Sequence, residues 1–261
     1  MILYGAPLAQ QIINELRNKS LPSGKLAVIK IGDDLTSELY IRKKAELAKN
    51  LSIDFEVIRL SGDISSEELK TEIVKLNQNR DVRAVLLQIP LPKHIDENWA
   101  ASLVDPKKDI DGFNYILGKS DRPIPPTVMA ISDLLKFYKI DLKSKKIVIV
   151  GGGFLVGKPL FKYFTERGYR VLMLGKDDPS YKQKLKSGDI VITATGRGGT
   201  FTSSDFKDCA VVIDVSTVCE NGVTKGDADF SSWNSSQSLS PVPGGIGPVT
   251  VAELFKNFCL L

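Results

Sequence analysis

Tyr40 and Lys44 stand four residues apart in the segment Ser37-Glu38-Leu39-Tyr40-Ile41-Arg42-Lys43-Lys44. In a helix that spacing stacks the two side chains on one face. A ring beside an ammonium pairs a stacking surface for a flat substrate with an acid/base. Arg42 and Lys43 are expected to lower the Lys44 pKa by like-charge repulsion, which favours proton transfer near neutral pH. Solvated amphipathic helices carry the same spacing, so this segment alone leaves both readings open.

Further candidates follow along the chain. Leu86-Leu87-Gln88-Ile89-Pro90-Leu91-Pro92 delivers a polar Gln88 at the end of an apolar stretch, the edge of an α/β sheet where ligands collect. Asp111-Gly112 is either a turn dipeptide or a carboxylate placed to grip a ring N–H and an exocyclic amine, a bidentate match for a pterin. Gly151-Gly152-Gly153, followed by Gly157, comes directly after the apolar run 146–150 and opens a helical pattern. Glycines there let backbone amides approach a pyrophosphate. The spacing is GxGxxxG rather than GxGxxG, and a tight turn without a phosphate is the alternative. Asp177 and Asp178 lie where an acid accepts from a ribose 2′-hydroxyl, whereas Lys176 in the same turn suits a 2′-phosphate. Pro241-Val242-Pro243-Gly244-Gly245-Ile246-Gly247-Pro248 is a rigid turn that permits close backbone approach.

The elements that must position these groups alternate between strand and helix. Strands are expected at 25–31, 55–60 and 84–89, with helices at 38–50 and 65–79. In the first helix Leu39, Leu47 and Leu51 form the apolar side. After an irregular, proline-rich stretch at 105–127 come a helix at 128–138 and a βαβ series: strands 146–150, 170–174, 190–194 and 210–215, with a helix at 156–167. A last helix is expected at 251–258, opened by a capping box of Thr250 and Glu253. Residues 231–240 are low in complexity. The pattern predicts parallel sheets with crossover helices.

The chain has 261 residues, with 43% hydrophobic and 25% charged residues, ordinary for a globular protein. A formal charge of +4 suits an anionic ligand and falls short of a nucleic-acid footprint. Cys209, Cys219 and Cys259 form no metal-ligand spacing and suggest free thiols in a reducing compartment. His94 is the single histidine, leaving little for a histidine triad or metal site. No membrane span and no signal peptide are expected, so the sequons at Asn18, Asn50 and Asn234 are read as coincidental.

Taken together and in order, the motifs make the chain resemble the bifunctional methylenetetrahydrofolate dehydrogenase/cyclohydrolase family over nearly its whole length. Y-x-x-x-K is matched by Tyr40 and Lys44, and Q-x-P-L-P by Gln88, Pro90, Leu91 and Pro92. K-D-x-D-G-F is matched from Lys108 to Phe113, G-x-x-x-x-V-G-x-P from Gly151 to Pro159, and P-V-P-G-G-x-G-P-x-T from Pro241 to Thr250. The resemblance implies an α/β fold of two domains with the active-site cleft between them. The N-terminal one is a three-layer α/β folate-binding domain over 1–118, joined by the returning helix 249–261. The other is a Rossmann-type dinucleotide-binding domain over 119–248.

It also implies oxidation of 5,10-methylenetetrahydrofolate by a nicotinamide nucleotide, then hydrolysis of the methenyl product to 10-formyltetrahydrofolate. Carried over by position, Lys44 is the acid/base and Gln88 tunes it. Asp111 holds the pterin and Tyr40 stacks along it. Pro90, Leu91, Pro92, Pro243, Gly244 and Gly245 complete the substrate contacts. Gly151, Gly152, Gly153, Gly157, Lys176 and Thr217 face the cofactor. No metal is implied. The resemblance further implies a folate substrate, polyglutamylated or not, and a cytoplasmic homodimer without nucleic-acid or membrane partners.

The departures concentrate on the cofactor side. Where the family has Arg-Ser after the first loop glycine, this chain has Gly152-Gly153. Its His-Ser pair is Gly175-Lys176 here, and its G-I-N after the last strand is Ser216-Thr217-Val218. The family's P-C-T-P reads Pro125-Pro126-Thr127-Val128. NADP is the expected cofactor by family habit, with NAD open on local chemistry. The alternatives are a monofunctional NAD-dependent dehydrogenase and a non-catalytic folate-binding paralogue.

Overall fold

A computed structural model describes residues 1–175, 178, 180–220, 223–233 and 235–261, without the side chains of Leu35, Thr36 and Glu220. Lys176, Asp177 and Asn234, singled out above, lie outside the described residues.

In chain order the elements begin α1 (Ala6–Arg17), β1 (Lys25–Ile31), α2 (Leu35–Asn50), β2 (Asp54–Leu60), α3 (Ser66–Gln78) and β3 (Val82–Leu87). The short helices α4 (Glu97–Ser102) and α5 (Phe113–Ile116) follow, then α6 (Pro126–Phe137). Next come β4 (Lys146–Val150), α7 (Gly157–Glu166), β5 (Arg170–Leu174), α8 (Tyr181–Lys186), β6 (Ile190–Thr193) and β7 (Val211–Asp214). The chain closes with β8 (Val218–Glu220), β9 (Val223–Lys225), β10 (Ser238–Ser240) and α9 (Ile246–Leu260).

Two compact units emerge. One comprises Ile12–Pro126 with Val251–Leu261, and the other Met1–Gln11 with Thr127–Thr250. The division falls at 126/127 where 118/119 was expected, and the first eleven residues group with the second stretch.

The unit of Ile12–Pro126 is built on a parallel sheet of order β2-β1-β3. The central strand β1 is buried from Leu26 to Ile31, as both faces of a parallel sheet require. Its one buried charge, Lys30, is neutralised by Glu38 of α2 at 3.0 Å, and Arg59 of β2 reaches the same carboxylate at 2.8 Å. These two cations hold the Glu38 carboxyl down at about 2, through their hydrogen bonds first. The start of α2 is fixed by Asp34, whose carboxylate accepts from the Ser37 N–H at 2.6 Å. A capping box of Ser65 and Glu68 starts α3. Leu39, expected on the buried side of α2, is 49% exposed, while Ile41, Leu47 and Ala48 face the core.

The other unit holds a five-stranded parallel sheet of order β10-β7-β6-β4-β5. From β4 the chain passes to β5 on one side and then returns to β6 on the other. The strand order therefore reverses beside β4, the point at which open α/β sheets bind ligands. Strand β10 falls in the stretch read as low complexity. Leu239 there is buried among core residues of this unit, and its backbone pairs with the N-terminal segment through Leu3 N–H at 2.8 Å.

The last helix starts at Ile246, five residues earlier than expected, because Pro248 is tolerated in a first turn that lacks intrahelical N–H partners anyway. Thr250 is thus inside the helix, its hydroxyl donating back to Ile246 O at 3.2 Å, and the expected Thr250–Glu253 capping box does not form. Helix α1 was not read from the sequence at all.

Candidate functional site

In the unit of Ile12–Pro126, Lys44 on α2, Gln88 just beyond β3 and Asp111 before α5 converge. The Lys44 ammonium donates to Oε1 of Gln88 at 3.0 Å. Gln88 is fixed at both ends of its amide. Its backbone N–H continues the sheet to Ile29 O at 2.9 Å, and its Nε2 donates to Ile89 O at 2.8 Å. With only 8% of Gln88 exposed, the amide is held with its oxygen toward Lys44.

Asp111 is delivered by a segment docked on the free edge of β3. Val85 N–H donates to Lys108 O at 2.7 Å, and Val85 and Asp109 form a parallel bridge. The buried carboxylate of Asp109 then accepts from the N–H of Asn114 at 2.6 Å and from its side-chain amide at 2.9 Å, folding the chain around Asp111-Gly112. Gly112 has φ +71, and a Cβ there would meet Pro123 O at 2.6 Å, so glycine is required twice over. From α9, Asn257 donates to Ile110 O at 3.0 Å and Ile124 O at 2.9 Å, clamping both flanks of the turn.

Lys44 and Asp111 are half-buried as residues, with their charged ends the buried part. Burial lowers the Lys44 pKa, opposed by the Asp111 charge. Burial pushes the Asp111 carboxyl up to about 6, with Lys44 pulling it down and Asp109 adding to the rise. The expected cause of the Lys44 shift is therefore corrected: desolvation does it, while Arg42 is largely exposed and turned toward Glu38. The expected ammonium–ring pairing also shifts by one residue. Lys43 lies 5.7 Å from the Tyr40 ring centroid, and Lys44 turns to Gln88 instead. Beyond Gln88, Pro90 is exposed, Leu91 buried and Pro92 half-buried.

The other unit contains a pocket of about 840 Å³ at the carboxyl ends of β4, β5 and β6, reached by Val150, Leu174 and Ala194. Gly151, Gly152 and Gly153 form one wall, and Tyr181, Thr195, Arg197 and Phe201 belong to the lining too. Gly151 has φ +103, and a Cβ on it would meet Ala194 O at 2.2 Å. Gly157 lies beneath the wall: its Cβ would strike Gly151 O at 1.8 Å, so it serves helix packing. The Thr195 hydroxyl is buried without a protein partner in this lining, an open polar position for a ligand. A nicotinamide nucleotide fits this glycine-walled, mostly apolar cavity. Thr217 is exposed in the turn after β7, outside the pocket lining. The Asp178 carboxylate accepts from Ser180 and from Lys184 at 2.7 Å, and these contacts hold its pKa at about 2. Pro243, Gly244 and Gly245 form the turn after β10, where a Cβ on Gly245 would meet Ser240 Oγ at 2.2 Å. Among the described residues no group of His, Cys, Asp or Glu could hold a metal, and no helix is long and apolar enough to cross a membrane.

Asn114, Asp109 and Asn257 were missed because their work is tertiary. The pocket residues 195–201 had a signal, the glycine-rich run Thr195-Gly196-Arg197-Gly198-Gly199 directly after a strand.

A glycine-walled pocket at the reversal point of a parallel sheet defines a nucleotide-binding α/β protein, with a desolvated lysine held in its other unit. The comparisons specify it. The family described as tetrahydrofolate dehydrogenase/cyclohydrolase matches twice, its catalytic domain over residues 3–111 and its NAD(P)-binding domain over 125–261. The chain belongs to this family. It is 39% identical to the "Bifunctional protein FolD" of Mycoplasma mycoides, with 98% of this chain and 94% of that one covered. The crystal structure of the FolD methylenetetrahydrofolate dehydrogenase/cyclohydrolase of Campylobacter jejuni superposes with a TM-score of 0.92 at 31% identity, covering 100% of this chain and 97% of that one. The Trypanosoma brucei enzyme, solved with NADP and an inhibitor, gives 0.89 at 27% identity, with 99% and 95% covered.

Proposed function

We propose that this chain oxidises 5,10-methylenetetrahydrofolate to the methenyl form with NADP, or NAD, and hydrolyses that product to 10-formyltetrahydrofolate. The observation that carries the reading is the desolvated Lys44 held by Gln88 within the field of Asp111. A bound nicotinamide nucleotide supplies the hydride acceptor, leaving an electrophilic iminium carbon bridging two folate nitrogens.

Hydrolysis of that bridge needs one group that takes a proton and returns it. Neutral Lys44, favoured by desolvation, accepts a proton as water adds to the bridge carbon. The resulting ammonium then donates to the pterin-side nitrogen as its bond to that carbon breaks, while the carbinol O–H gives up its proton to water and becomes the C=O of the formyl group left on the other nitrogen. Gln88 accepts from Lys44 in either protonation state and so aims it without adding charge. Asp111 accepts two hydrogen bonds from the pterin edge, and Tyr40 stacks along the substrate. Pro90, Leu91, Pro92, Pro243, Gly244 and Gly245 are the remaining proposed substrate contacts. Gly151, Gly152 and Gly153 admit the nucleotide and Gly157 keeps their turn closed, with Lys176 and Thr217 as further cofactor contacts.

The reading includes a folate-binding domain of 1–118 with 249–261, a nucleotide domain of 119–248, and a cytoplasmic homodimer; light scattering tests the dimer. Gly152 and Gly153, where side chains for a 2′-phosphate are lacking, keep the monofunctional NAD-dependent alternative in play. Steady-state turnover of methylenetetrahydrofolate with each nucleotide, together with hydrolysis of added methenyltetrahydrofolate, tests the proposal. Both activities are expected. Turnover with NAD and no hydrolysis would favour the alternative.

A further inference from the structure

Three consecutive backbone N–H groups after β6 are each taken by a buried side chain of the same unit. Thr195 N–H donates to Oδ2 of Asp227 at 2.7 Å, and Arg197 N–H to its Oδ1 at 2.8 Å. Between them, Gly196 N–H donates to Oγ of Ser216 at 3.0 Å. Asp227 is fully buried and Ser216 6% exposed. The same strip of chain is tied down further on, where Phe201 N–H donates to the backbone oxygen of Asp227 at 2.9 Å and Gly199 N–H to that of Gly226 at 2.8 Å.

A second carboxylate stands behind these holders. Asp214, 1% exposed at the end of β7, accepts from Ser216 N–H at 3.1 Å and from Thr193 Oγ1 at 3.2 Å through one oxygen. Its other oxygen accepts from Ala228 N–H at 2.8 Å, directly beside Asp227. The fit is close, since a Cβ on Gly226 would meet Asp214 Oδ2 at 2.0 Å. Asp214 thus fixes the backbone next to each holder.

The turn so fixed supplies Thr195, Arg197, Thr200 and Phe201 to the pocket wall. Alternating amides that converge on one point form a nest, which elsewhere captures a phosphate. Here the nest is filled from within by Asp227, so the turn meets its ligand through Thr195 Oγ1, buried and unpartnered, and through its carbonyls.

We propose that Asp227 and Ser216 are positioning residues of the nucleotide pocket, holding the turn 195–197 in the shape that receives the nicotinamide nucleotide, with Asp214 aligning both. The proposal rests on the functional reading above. An uncharged amide at 227 would face one of the two N–H donors with its own NH₂, so Asp227→Asn loses a contact and gains a repulsion.

The test is nucleotide titration and steady-state kinetics of Asp227→Asn and Ser216→Ala. Thermal melting and hydrolysis of methenyltetrahydrofolate, which uses no nicotinamide, serve as controls on folding. The expected result is a nucleotide KM and Kd raised about tenfold or more in Asp227→Asn and about threefold in Ser216→Ala. The kcat at saturating nucleotide should stay within about threefold of the parent, because the contacts shape binding and not the reacting atoms. If Asp227→Asn does not fold, Ser216→Ala carries the test by itself. Nucleotide affinity unchanged in the folded variants, or a loss of kcat alone, would overturn the proposal. Absence of nicotinamide-dependent turnover in the unmodified protein is a separate result that defeats the functional reading, and the proposal with it.

Discussion

The ammonium of Lys44 donates to the side-chain oxygen of Gln88 over 3.0 Å, and that oxygen is aimed because the other end of the amide is bonded to Ile89 O. A neutral acceptor orients the lysine without stabilising its charge as a carboxylate would. Gln88→Glu is therefore predicted to raise the Lys44 pKa and move the rising limb of the cyclohydrolase pH–rate profile to higher pH. Gln88→Ala, which loses the aim as well, is expected to cut hydrolysis on the order of a hundredfold. A pH–rate profile of both variants checks the pair.

Asp111 titrates at about 6, pushed up by burial. Its carboxylate form is the one that accepts two hydrogen bonds from a pterin, so affinity is present above that pH and lost as pH falls through it. The folate KM is predicted to climb below pH about 6. In Asp111→Asn the KM should be high throughout and nearly flat with pH. Steady-state KM measured from acid to neutral pH decides this.

Asn257 donates to Ile110 O and Ile124 O from a position 3% exposed. Asn257→Ala would leave both carbonyls without that donor at a buried site, a cost of about 1–3 kcal/mol. The predicted outcome is a lower denaturation midpoint together with a raised folate KM, since the turn bearing Asp111 loses its clamp. Urea unfolding and a KM measurement on one preparation report both effects.

What was legible in the sequence follows from how local each signal is. β1, β4 and β5 were readable to the residue because each is a short, mostly apolar run opened by a cation and closed by a glycine, as in Lys146–Val150 before Gly151. The convergence of Lys44, Gln88 and Asp111 was readable through motif order. Their partners were not. Lys43 rather than Lys44 over the Tyr40 ring, and desolvation rather than Arg42 acting on Lys44, depend on which way side chains turn. Helix α9 was placed late because Gly247 and Pro248 look like breakers, although a first helical turn accepts both. Asn257, Ser216 and Asp227 act on backbone far away in sequence, and no spacing rule reports such contacts.

The central claim is that Lys44 moves the proton during hydrolysis of the folate bridge. The most direct measurement follows the methenyl absorbance band after methenyltetrahydrofolate is mixed with the unmodified protein or with Lys44→Met, a swap that keeps the bulk and removes the amine. The account predicts rapid decay of the band with the unmodified protein, and decay no faster than in buffer with the variant. Hydrolysis by Lys44→Met at the unmodified rate would contradict it.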